Sequence, residues 1–201
     1  MKSDPEDVIG IPSDHVSIWA IGMITIEWNY IEHLLECLLE LFLVGHGLSY
    51  EFVEPMGNAT RTELLFKYIL NNERNKRFKI FFMHAQKHLL ICRENRNFLS
   101  HGRMNTHSKN HITIERVTRR QSSRTTSKIM VHQLMQVSED MVHCIEYLNY
   151  ISANTSFYKS LVSNGARRKP LPRKHALPHR IWENPSPTPK SRKRPRQSSR
   201  A

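Results

Sequence analysis

The sequence is poor in cysteine, in long apolar runs and, over its last stretch, in acid. Cys37, Cys92 and Cys144 are an odd number and form no C-x-x-C pair, which argues against a disulfide framework and a thiolate zinc site. Each falls in an apolar helical pattern, so three buried free thiols in a reducing compartment are expected. The run "VSIWAIGMITI" ends at Glu27 after 11 residues, whereas a helix crossing a bilayer needs about 20. The opening "MKSDPEDVIGIPSDH" has no apolar signal core. These features predict a chain with no membrane span, cytoplasmic, or nuclear in a eukaryote. No Gly-rich phosphate loop, G-x-S-x-G elbow, HEXXH pair or paired-carboxylate motif is present.

The acid shortage is local. Residues 165–201 carry 12 of the 30 Lys and Arg but only Glu183 among the 18 acids, together with 7 of the 10 prolines. The net charge of +12 thus divides into +11 for this tail and +1 for the rest. A Pro-rich, basic segment without apolar periodicity buries too little surface to offset its ordering entropy, so disorder is expected there. The chain divides into a short extension (1–13), a helical domain (14–164) and the tail.

What is present in the middle is helical periodicity. Residues 14–44 repeat apolar side chains at steps of three and four (Val16, Trp19, Met23, Ile26, Tyr30, Leu34, Leu38, Leu41), with Asp14 as N-cap. "TRTE" at 60–63 has capping-box spacing and predicts a second helix through Leu64, Leu65, Tyr68 and Ile69. A third helix is predicted over 73–100, on Phe78, Phe81, Phe82, Ala85, Leu89 and Cys92. "HITIERV" and "SKIMV" then read as a hairpin around the polar turn "RRQSSRTT". A fourth helix is predicted over 132–153 on Leu134, Val137, Met141, Ile145, Leu148 and Ile151, with a short helical piece near 155–163. The fold class expected is mainly α: an antiparallel bundle of four to five helices with a small hairpin before its last long helix.

The chemistry centres on "RNFLSHG", residues 96–102. Position 96 lies 18 residues, or about five turns, beyond Phe78, which puts Arg96 on the apolar side. A charge there needs an anionic partner: Glu32 or Glu36 of the first helix, or a phosphate from outside. His101 lies about 140° further round an ideal helix, so the two converge only where the helix loosens. Gly102 is placed to end it. The bland alternative makes Arg96 a bundle arginine paired with Glu32, and His101 a residue favoured by the helix dipole.

Arg96, Asn97 and His101, with their place at the end of a bundle helix, resemble the Arg-x(4–6)-His signature of the HEPN superfamily, in which a polar residue often follows the arginine. The likeness covers about residues 14–155. It implies a metal-independent endoribonuclease, without cofactor, acting as a homodimer, in toxin or antiviral defence roles that bring a cognate inhibitor protein as partner. The other implied outcome is a non-catalytic module that binds RNA or protein. On the catalytic reading Arg96 grips the scissile phosphate, His101 moves a proton, Asn97 orients them and Glu32 supports them.

Two further groups complete the RNA contacts expected: Arg119, Arg120 and Arg124 at the hairpin tip, and Lys190, Arg192, Lys193, Arg194 and Arg196 in the tail, which also reads as a nuclear localisation signal. Trp182, in "HRIWEN", is a candidate short contact for a partner. His84 with His88, and His107 with His111, have a spacing that can chelate a metal, but neither pair shows a third ligand, so no metal site is expected.

Overall fold

The computed structural model describes residues 15–43, 55–107, 110–118, 123–164 and 170–183. The N-terminal extension and Asp14 lie outside them. Helices α1 (Val16–Leu43), α2 (Asn58–Asn72) and α3 (Lys76–His101) come first. Strands β1 (Arg103–His107), β2 (His111–Thr118) and β3 (Ser123–Met130) follow. The long helix α4 (Val131–Asn164) closes the order. The fold class is as expected: a helical bundle with a small antiparallel sheet before the last long helix. α1 packs most extensively on α4, α3 joins both, and α2 fills the angle between α1 and α3. No helix among the described residues is long and apolar enough to cross a membrane.

The face of α1 differs from the one expected. Ala20, Ile24, Trp28, Ile31, Leu35, Leu38 and Leu39 are buried, while Ile26 is 63% and Tyr30 46% exposed. Apolar residues occur nearly all round the first half of this helix, so more than one phase satisfies the same period, and packing against α4 selects the Trp28 face. Cys37 falls on the outer side and is exposed, against expectation, whereas Cys92 and Cys144 are buried with their sulfurs 3.6 Å apart.

The second helix begins at Asn58, two residues before the supposed cap. Gly57 occupies the cap position without a side-chain bond, and Thr62 returns its hydroxyl to the Asn58 carbonyl at 2.8 Å. Thr60 thus lies inside the helix and no capping box forms. The turn into α3 is held by two side chains: Glu73 accepts from the Asn75 amide at 2.8 Å, and Asn75, the N-cap, accepts from the Arg77 amide at 2.9 Å.

The sheet has three strands in the order β1-β2-β3, one more than expected. "RMNTH" lacks the alternation that marks β2, and pairs with it through an irregularity between Met104 and Thr106. Ile112 faces Ile129 across the β2–β3 register, and these two with Ile114 bury the inner side of the sheet. α4 absorbs the short helical piece expected near 155–163, running unbroken to Asn164.

Part of the segment expected to be disordered is bound to the bundle. Residues 170–183 form a strap over α3 and α4. The His175 amide donates to the Tyr147 hydroxyl at 2.8 Å. The fully buried Asn95 donates to the His179 carbonyl at 2.9 Å and accepts from the Ile181 amide at 3.2 Å. Arg180 pairs with Glu94 at 2.5 Å. Ile181 is buried, and Trp182 stacks on Phe98 with ring centroids 5.0 Å apart. The contact escapes a periodicity search because it is made by a few side chains against an extended backbone whose hydrogen bonds are completed by Asn95 and Tyr147. The remainder of the tail lies outside the described residues.

Candidate functional site at the end of the third helix

The apolar stripe of α3 runs through Phe81, Phe82, Ala85, Leu89 and Cys92 to Asn95 and Leu99. Asn95, not Arg96, takes the buried position, and Arg96 is half-buried beside it. Its guanidinium lies over the Trp28 ring, 6.0 Å from the centroid, and donates to Asn97 Oδ1 at 3.2 Å. Its Nε is buried without a partner.

The two acids expected to neutralise Arg96 are engaged elsewhere. Glu32 accepts from the Trp28 indole at 2.8 Å, and Glu36 pairs with Arg61 of α2. Among the described residues Arg96 makes no ion pair with a carboxylate. Trp28 thus has two roles: its ring lies under the guanidinium and its N–H donates to Glu32.

His101 is exposed. The helix stays regular through this residue, so the loosening that would swing it toward Arg96 does not occur; the two side chains leave the axis about 140° apart. Gly102 follows with φ −85° and ψ 146°, an extended conformation open to any residue, so the left-handed ending is absent. Glycine is required for space. A Cβ here would stand 2.2 Å from Ile114 Cγ2 and 2.9 Å from the Phe98 carbonyl, because β2 crosses the end of the helix at close range.

Two neighbours of the motif, Asn95 and Arg116, are not among the residues expected from the sequence. Asn95 carried a signal, being a polar residue three beyond Cys92 on the apolar stripe. Arg116 of β2 carried none: it reaches across to lie 5.4 Å from the Phe98 ring centroid. Trp182, expected as a contact for a partner, stacks on Phe98 within the chain. Of the expected RNA contacts, Arg124 falls in β3 opposite Val117, within the strand. Arg119, Arg120, Lys190, Arg192, Lys193, Arg194 and Arg196 lie outside the described residues. His107 and His111 sit on the neighbouring strands β1 and β2.

Chemically, the end of α3 offers a half-buried guanidinium without a carboxylate among the described residues, an amide beside it and, on a different side of the helix, an exposed imidazole. The guanidinium can hold an oxyanion and the imidazole can exchange a proton, but within one chain they do not converge. No family model, curated protein or solved structure matches the chain.

Proposed function

We propose that this chain is a HEPN-type endoribonuclease that works as a homodimer, Arg96 binding the scissile phosphate and His101 transferring a proton. The observation that carries the reading is the state of Arg96. A guanidinium half-removed from water, with Nε unpartnered and both nearby acids occupied, is set to receive an oxyanion from outside. RNA supplies one in its backbone.

In the reaction the 2′-oxygen attacks phosphorus and the bond to the 5′-oxygen breaks, leaving a 2′,3′-cyclic phosphate and a 5′-hydroxyl. An imidazole removes the proton from the nucleophile or delivers one to the leaving oxygen. Within one chain His101 diverges from Arg96, so a second copy supplies the imidazole. Asn97 fixes the guanidinium. Glu32 acts at one remove, by holding Trp28. The basic residues at 119–124 and 190–196 add backbone contacts. A toxin or defence role, with an inhibitor protein as partner, belongs to the same reading.

The divergence of Arg96 and His101 on one regular helix favours a second reading, a non-catalytic module that binds RNA or a protein through Arg96. Incubation with RNA in EDTA separates the two. The enzyme yields cyclic-phosphate ends, and Arg96→Lys and His101→Ala each reduce the rate by about 10²-fold or more at unchanged melting temperature. Mixing the two inactive variants restores part of the activity, because one hybrid site keeps both groups. A wild-type protein that binds RNA and leaves it intact is the module.

A further inference from the structure

Two turns before Asn95, α3 presents a second polar cluster that the ribonuclease reading does not use. His88 is completely buried. Its Nε2 lies 3.0 Å from the backbone carbonyl of Asp140 on α4. A carbonyl only accepts, so Nε2 carries the hydrogen and Nδ1 is left with a bare lone pair. That Nδ1 is buried without a partner, as are Nδ1 of His143 and Nε2 of His84. The Asp140 carboxylate is buried too, with one hydrogen bond from Gln136 at 3.2 Å. Ligand atoms of His88, Asp140 and His143 all lie within 4.8 Å of one another.

We propose that His88, Asp140 and His143 bind one divalent transition-metal ion of the imidazole-preferring class typified by zinc. Two imidazole nitrogens and one carboxylate are a familiar ligand set for such an ion, and small side-chain shifts bring a 4.8 Å cluster to coordination distance. The ion explains what hydrogen bonding leaves over. The unpartnered nitrogens of His88 and His143 would gain a partner, and the buried Asp140 carboxylate a positive charge. The bond from His88 Nε2–H to the Asp140 carbonyl is the kind of outer contact that fixes a ligand's tautomer.

A competing set is His88 with Cys92 and Cys144, also within 4.8 Å. It is the weaker choice. The Cys144 thiol already donates a hydrogen bond to the Cys92 sulfur, and neither sulfur is left as an unpartnered buried atom. The strap closes the preferred site from outside: the His175 ring stacks on His143 with centroids 3.4 Å apart.

The test uses the full chain without a polyhistidine tag, treated with chelator and then dialysed against zinc or cobalt. One ion per chain is expected, with affinity reduced at least tenfold in His143→Ala and Asp140→Asn and unchanged in the exposed control His132→Ala. Bound cobalt should show visible d–d bands and no thiolate charge-transfer band in the near ultraviolet. Equal affinity in all three variants, or binding below one ion per chain in wild type, overturns the site. A thiolate band abolished by Cys144→Ser overturns it in favour of the cysteine set. His88→Gln is the direct variant. Should it fail to fold, His143→Ala decides, because that side chain is only half-buried. None of these readouts depends on RNA cleavage.

Discussion

Gly102 shows how much a single position can carry between two elements. Its backbone angles are ordinary, so an alanine meets no conformational penalty there; the cost is contact with Ile114 and the Phe98 carbonyl. Gly102→Ala should destabilise the protein by about 1–3 kcal/mol, the usual range for overpacking. Trimming Ile114 to alanine in the same chain should recover part of that loss, so the double variant is less destabilised than the two single changes together. Simple additivity in denaturant melts would place the strain elsewhere. Arg96 teaches a related lesson. The sequence marks it as an arginine close to an apolar face, but which acids are free to meet it depends on Trp28 and Arg61, one on the facing helix and one on α2.

Among the elements, the strap is the one whose removal has the clearest expected effect. Deleting residues 170–201 takes away the Ile181 side chain and leaves the buried Asn95 amide without its two backbone partners. Truncating a buried isoleucine costs about 2–5 kcal/mol and an orphaned buried polar group about 1–3. A fall in melting temperature is therefore expected, reproduced in part by Asn95→Ala and not by deleting 184–201 alone. An unchanged melt after the longer deletion would show that the strap adds nothing. The helices and the β2–β3 pair were legible because their apolar side chains recur at periods of 3.6 and 2. The phase of α1 was not, since Ile18, Ile21, Ile24 and Ile26 offer several equivalent stripes. β1 and the strap were not, because neither has a period. At the candidate site, Arg96, Asn97 and His101 could be picked out by type and spacing. The partners of Arg96 and the ligands offered by Asp140 and His143 come from other helices and are set only by packing.

Across the whole molecule, charge is divided as sharply as structure. The domain is nearly neutral and the excess of positive charge lies beyond residue 164. Polyanion binding by the full chain should weaken steeply with salt, and removing residues 184–201, which carry Lys190, Arg192, Lys193, Arg194, Arg196 and Arg200, should flatten that slope. An unchanged slope would assign the binding to the domain. The strap also imposes an order on biosynthesis. Ile181 meets Asn95 across 86 positions of sequence, so the amide waits about 4–17 s for its partner at roughly 5–20 residues translated per second. During that interval α3 and α4 can pair before the His175 ring covers His143. The nascent chain therefore passes through a stage with its seam unsealed, and closes it only when the prolines and Trp182 have left the ribosome.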